Sequence, residues 1–400
     1  MRRSENMSTR KGFFTDVSVR CAAFLMAYYM TNSVFQSFMS LYYTDIGLSN
    51  THIGTINALI AVMSVFTMQL WGYLGDRAKV RNRLLSFMCV CAALLMLAVR
   101  LDSRFGYVLA VVCLFSAFYT SIQPMGDSVV LTALDAQGRP FGPVRLAGGL
   151  SFAVVAALFG YVVEAVGSTS AVYATAGMCL MIALAAQYMP RVSGGEERKS
   201  AKGMLSLFKN RDLLILFAFM VPLQITYGYF YAFFSPLLRD DLGGGAYVGW
   251  SYFISSVSET PFLLFSDRLF KRHGAGRLMC ISALCMTARW LIVASTSSPA
   301  VAMMSQVLHC MGFIVITVTV SKYVQATVPE NQRASGQLLI SVFGFGVARA
   351  LGYFGGGLLS DLTSRQSVFY GCAAICLVCL AVFAPYYFRR GPLNGEEKNA

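Results

Sequence analysis

Residues 72–101 read GYLGDRAKVRNRLLSFMCVCAALLMLAVRL. The opening dozen residues carry Asp76, Arg77, Lys79, Arg81 and Arg83, whereas Leu84 to Val99 hold no charge at all. A helix needs ~20 mostly apolar residues to cross a bilayer, so a charge cluster abutting such a run reads as a surface loop feeding a membrane span. The same alternation continues in both directions. Apolar stretches occupy roughly 17–43, 50–75, 84–101, 106–134, 143–165, 169–189, 212–237, 246–267, 278–297, 299–327, 336–360 and 366–388. Twelve spans make an all-α membrane protein. The composition agrees: 56% of residues are hydrophobic and 13% charged, where soluble domains run near ~25% charged. This excludes a soluble globule, a disordered chain, a coiled coil and a peripheral enzyme with one anchor.

The net charge of +13 invites a nucleic-acid reading, but the basic residues sort by side. The N-terminus carries Arg2, Arg3, Arg10 and Lys11. The later loops on that side and the C-terminal tail raise the total to 23. The opposite loops hold only Arg104, Arg239 and Arg365. A positive-inside bias of this kind predicts both termini in the cytoplasm and no nucleic-acid partner. Six basic residues remain inside spans: Arg20, Arg100, Arg145, Arg289, Lys322 and Arg349. Arg20 and Arg100 are near span ends and can snorkel. Lys322 and Arg349 show no obvious acidic partner. All eleven Cys fall inside spans, and Cys376 with Cys379 forms a single CxxC on an apolar helix. Small buried side chains, with no metal or cofactor, are expected there. The first apolar stretch is too long for a cleavable signal peptide and more spans follow it.

The one long polar segment is 190–211. It divides the chain into an N-terminal six-helix bundle over 1–189, a cytoplasmic linker, and a second bundle over 212–388, with a cytoplasmic tail at 389–400. An internal repeat supports the division. Asp76-Arg77 after span 2 has a counterpart in Asp267-Arg268 after span 8.

Gly72-x-x-Gly75-Asp76-Arg77 followed by clustered Lys and Arg resembles the signature loop of the major facilitator superfamily. That likeness implies two pseudo-symmetric six-helix bundles around a central cavity, and alternating-access transport by a monomer. It also implies a conformational switch built from Gly72, Asp76, Arg77, Asp267 and Arg268. A closer resemblance is to the branch holding lactose permease, nucleoside–proton symporters and phenylpropionate permeases. It is carried by Pro124-Met-Gly-Asp127, Phe141-Gly-Pro-Val-Arg145 through Phe152, Ser258-Glu259-Thr260-Pro261, Ala288-Arg289-Trp290 and Leu308-His309-Cys310-Met311-Gly312-Phe313. There are departures. Gly312 stands where lactose permease has a proton-coupling Glu. Gly228 and Tyr231 replace two span-7 acids, and Gln306 replaces a Lys.

Ionisable groups inside a bilayer are costly, which makes each a functional candidate. Asp127 and Arg145 lie on neighbouring antiparallel spans and read as a substrate-binding pair or a structural ion pair. Phe152, two turns beyond Arg145, faces the same side. The resemblance makes it a platform for a sugar ring; core filling is the alternative. Glu259 stands mid-span beside the helix-kinking Pro261 and is the foremost proton site. His309 titrates near neutrality in its unperturbed form, and Arg289 joins these two as a coupling residue, an ion pair between Glu259 and Arg289 being the compatible alternative. Asn32, Gln36, Gln123, Gln224 and Tyr227 line the cavity or pack helices. No HExxH or GxSxG lies on a span, so no enzyme is expected. The expected function is proton-coupled symport of a small organic solute, a sugar or nucleoside. Uptake of an aromatic or other organic acid, and drug/proton antiport, are the alternatives.

Overall fold

The computed structural model describes residues 16–194, 207, 210–329 and 332–390. The N-terminal basic residues, most of the linker and the tail from 391 onward lie outside these. Among the described residues every regular element is helical. They are α1 (Val17–Asp45), α2 (Asn50–Arg77), α3 (Arg81–Ala98), α4 (Phe105–Tyr119), α5 (Ile122–Asp135), α6 (Phe141–Val166) and α7 (Thr169–Tyr188). Then come α8 (Arg211–Pro236), α9 (Gly245–Ser295), α10 (Pro299–Met304), α11 (His309–Thr327), α12 (Arg333–Leu339), α13 (Ala348–Leu362) and α14 (Arg365–Arg390).

Ten helical stretches are long and apolar enough to cross a membrane. Val17–Asp45 and the part of α9 before Phe265 occupy two further expected span positions outside those ten. Several expected spans prove to be broken helices. The fourth is split into α4 and α5 at Thr120–Ser121. Pro124 has no amide to offer the Thr120 carbonyl one turn back, which loosens the helix there. Spans 8 and 9 were expected to be separated by a loop at 268–277. The two helices are indeed distinct, but helical turns enter that segment from both sides and part only at Gly274, whose non-helical φ of 70° and ψ of 167° lie in a region open to glycine. A π-turn, Ile340–Val347, interrupts the eleventh span between α12 and α13.

The described chain forms two compact units. One holds 16–42 and 66–194, the other 43–65 and the residues from 207 onward. In the first, α3 packs along α7 and α4. Asp16 accepts a hydrogen bond from the Ser18 amide at 2.8 Å and pairs with Arg139 at 3.3 Å. That amide, more than Arg139, holds the Asp16 carboxyl below its usual range. In the second unit α9 packs on α14 and α11, and α8 packs on α13. The start of α2 belongs to this unit. Asp361, at the end of α13, accepts hydrogen bonds from the backbone and side-chain amides of Asn50 and from the Thr51 amide, at 2.7–3.0 Å. A carboxylate here satisfies donors that the helix cannot satisfy itself.

The three basic residues against the charge bias are all neutralised. Arg104 pairs with Asp102 at 2.6 Å, Arg239 with Asp45 at 2.6 Å and Arg365 with Asp241 at 3.1 Å. Arg20 leans over the Tyr188 ring at 5.0 Å, as a snorkelling side chain does. The eleven cysteines are free thiols, each buried or half-buried.

Candidate functional site

Four polar clusters contain the residues singled out above. The first lies in the first unit. Asp127 on α5 and Arg145 on α6 meet at 3.5 Å, with side chains 25% and 42% exposed. The Arg145 guanidinium stacks over the Tyr29 ring at 4.7 Å. Gln123 joins the group: its Nε2 donates to the Tyr29 hydroxyl at 2.9 Å, and its Oε1 accepts from Tyr28 at 3.2 Å. Asp127 Oδ1 has no hydrogen-bond partner. A half-exposed acid–guanidinium pair with unspent hydrogen-bonding capacity suits recognition of hydroxyls. Gly148, three residues beyond Arg145, leaves the room that Tyr29 fills. Phe152 is half-buried and its carbonyl accepts from Ser33 at 2.9 Å. Asn32 donates to Gln36 at 3.3 Å, a helix-surface pair one turn apart.

The second cluster sits in the second unit. Glu259 Oε1 lies 3.4 Å from His309 Nε2, with side chains 23% and 5% exposed. Arg289 is not the partner of Glu259. Its guanidinium is fully buried and donates to Gln306 Oε1, and to the Tyr227 hydroxyl at 3.5 Å. It stacks on Phe230 at 4.2 Å and Trp290 at 4.6 Å. Gln306 thus accepts where the resemblance would put a second cation. Ser255 donates to the same oxygen at 3.3 Å. Tyr227 is also fully buried, and its ring meets His309 edge-on at 5.7 Å. The absence of a side chain at Gly312 has a steric reason. A Cβ there would collide with the Tyr227 hydroxyl and crowd Met286, so the space of the lost Glu is taken by a tyrosine.

Arg349 adjoins this cluster. Its Nε donates to Gln224 Oε1 at 3.2 Å, and its guanidinium lies 5.0 Å from the Tyr231 ring, 5.4 Å from Phe313 and 4.8 Å from Phe345. A Cβ on Gly228 would run into the Arg349 backbone. The glycine at a lost acidic position therefore lets α8 and α13 touch. Among the described residues neither Arg289 nor Arg349 has a carboxylate within ion-pair distance.

The remaining clusters are the repeated Asp-Arg loops. Asp76 pairs with Arg81 at 2.9 Å, and Arg81 also donates to the Gly75 carbonyl and to Ser128. The partner is thus five residues along the same loop. A cleft beside it is lined by Trp71, Gly72, Asp76, Arg81, Ser121 and Pro124. Arg77 folds over the Tyr73 ring at 4.1 Å. Segment 192–194 zips onto this loop through Arg81 N to Val192 O at 2.9 Å and Gly194 N to Ala78 O at 2.9 Å. In the second unit Asp267 pairs with Lys322 at 2.5 Å, which corrects the expectation that Lys322 lacks an acidic partner. Arg268 is exposed.

An all-helical chain of broken, apolar spans with ionisable groups buried between them defines a multi-pass membrane transport protein. The model of the MFS_1-like family matches residues 18–371, and the chain belongs to that family, within the major facilitator superfamily. A maltose permease of Geobacillus stearothermophilus is 28% identical over 88% of this chain and 89% of its own length. The crystal structure of the nucleoside transporter NupG superposes with a TM-score of 0.82 at 16% identity, covering 93% of this chain and 99% of that one. A bacterial homologue of the human lysosomal transporter Spinster superposes with a TM-score of 0.69 at 13% identity, over 97% and 99% of the two chains. At such identities these two share the fold.

Proposed function

We propose that this chain is a proton-coupled symporter of a small organic solute, working by alternating access with both termini in the cytoplasm. The observation that carries the coupling is the Glu259–His309 pair: a carboxyl and an imidazole 3.4 Å apart at mid-span. A carboxyl and an imidazole within reach of each other give a shared proton two resting places. A sugar or a nucleoside is the substrate class supported by the Asp127–Arg145 pair with Tyr29 and Gln123. The likeness to a maltose permease supports a sugar.

The test is uptake into proteoliposomes under an imposed pH gradient, with maltose and uridine as first probes. One proton per neutral solute supports up to ~10-fold accumulation per pH unit, since a pH unit is worth about 1.4 kcal/mol. Glu259→Gln should lose this accumulation and keep downhill exchange; undiminished uphill uptake by that variant removes Glu259 as the proton site. For the orientation, a periplasmic reporter fused after Ala400 should be inactive and one inserted near Gly243 active. The reverse pattern defeats the proposed topology.

A further inference from the structure

We propose that the transported solute carries a carboxylate on a ring-bearing body, and that Arg349 is the side chain that takes the carboxylate. This rests on the symporter reading but departs from the neutral sugar or nucleoside named there: the solute class becomes acids, either sugar acids or aromatic acids. Arg349 spends its Nε on Gln224, but its Nη2 is buried with no hydrogen-bond partner. Gln224, itself fully buried, has an equally unpartnered Nε2. Arg289 Nε and His309 Nδ1 are two further buried atoms without a partner in the same cluster. Buried polar atoms are normally satisfied, so a group of orphans centred on two guanidiniums implies an acceptor that arrives from outside.

The aromatic rings around Arg349 do not supply that acceptor. A ring face attracts the cation through its quadrupole and offers no lone-pair acceptor to the N–H groups. A planar fork of N–H groups matches a carboxylate. The charges lean the same way: Arg289 and Arg349 face the single carboxyl of Glu259 among the described residues of the cluster. Of the two cations only Arg349 is reachable, being half-buried like Phe313 and Phe345 beside it, whereas Arg289 is fully enclosed. The half-buried rings offer a stacking surface for the body of the solute, whether the apolar face of a sugar or an aromatic ring. Arg349 is also held in place. It follows the π-turn Ile340–Val347 by two residues, and π-turns recur at functional sites. The close approach allowed by Gly228 fixes its backbone against α8.

The experiment is ligand binding to the purified full chain in detergent, read by the fluorescence of Trp290, which packs on Arg289 at 4.6 Å. Trp71→Phe and Trp250→Phe isolate that signal. The probes are glucuronate against methyl glucoside, and 3-phenylpropanoate against 3-phenylpropanamide. One acid should bind about 10- to 100-fold tighter than its neutral counterpart, the range for a charge-assisted hydrogen bond made in a buried site. The pair that shows the difference identifies the sugar acid or the aromatic acid. Arg349→Gln should erase the discrimination, and Arg349→Lys should keep part of it, which separates a lost contact from a lost fold. The proposal is overturned if neither acid binds at millimolar concentration, if the neutral probe binds as tightly, or if Arg349→Gln still discriminates. No gradient is present in this assay, so proton coupling is not what it reads. A Glu259→Gln variant that binds the acid but accumulates it undiminished would defeat the coupling alone.

Discussion

Replacing Gln306 by leucine removes the side-chain oxygen on which the buried Arg289 depends. In the native structure that oxygen accepts from the guanidinium and from Ser255. After the change the guanidinium keeps a 3.5 Å bond to Tyr227 and its aromatic faces, while its Nε is already without a partner. A hydrogen bond to a charged group is worth about 1.5–3 kcal/mol, and the charge cannot escape to water from a fully buried position. The expected loss is therefore about 2–3 kcal/mol, near the upper part of that range. At about 2 °C per kcal/mol, the low end for large domains, Tm in detergent should fall by roughly 4–6 °C. Arg289→Met in the Gln306→Leu background should recover part of this loss, because an apolar pair leaves no stranded charge. The assay is a double-mutant cycle on thermal unfolding, followed by the intrinsic fluorescence of Trp290. A Gln306→Leu protein as stable as the native one, or a double variant whose loss equals the sum of the singles, refutes the claim that Gln306 is what makes the buried guanidinium tolerable.

Gly312→Ala pushes a methyl group into the Tyr227 hydroxyl and Met286. The overpacking should cost about 1–3 kcal/mol, and Tyr227→Phe in the same chain should relieve part of it, as measured by Tm. Asp361→Ala strips the acceptor from the Asn50 and Thr51 amides, a loss of about 1–2 kcal/mol typical of a helix cap. Hydrogen exchange at the first turn of α2 should accelerate, and Asp361→Asn should give an intermediate effect, because its amide keeps one acceptor oxygen but sets an NH2 donor where the second oxygen accepted. Asp76→Asn weakens the pair with Arg81 away from the buried clusters, so transport should slow while substrate affinity stays within a factor of a few. A large loss of affinity with unimpaired exchange would speak against the switch role.

Much of the architecture was readable because a membrane imposes it. Spans need length and apolarity, and both are visible in a string of letters. What escaped was local backbone chemistry. A loop was expected over 268–277, where ten residues rich in Arg, Lys and Gly suggested a surface turn. Helical turns instead reach into it from both sides, and the two helices part at Gly274 alone. The clusters divide in the same way. Asp127 and Arg145 were legible as a candidate pair on neighbouring antiparallel spans, whereas Glu259 and His309 were legible only as separate candidates and it is the structure that brings them within 3.4 Å. A pair with Glu259 was the alternative reading for Arg289 on charge, yet its acceptor is the neutral Gln306. A search for acid–base pairs does not look for an amide. The roles of Gly312 and Gly228 were likewise hidden, because each is defined by what sits opposite: the Tyr227 hydroxyl in one case and the Arg349 backbone in the other. A faint signal was present. Gln224, Tyr227, Gly228 and Tyr231 recur at three- and four-residue intervals, one stripe of α8 facing the polar cluster.

The placement of the cysteines has a practical outcome for labelling chemistry. All eleven thiols sit on helices, buried or half-buried, and no loop carries one. A bulky, charged maleimide applied to intact cells should therefore find almost nothing to modify on the native protein. A single cysteine in place of Ser103, an exposed residue in the short loop before α4, would stand out against that silent background. Sidedness, accessibility and gated exposure could then be followed by mass tag or fluorophore without first building a cysteine-free chain. The small buried side chains that pack the helices would keep their native identity throughout.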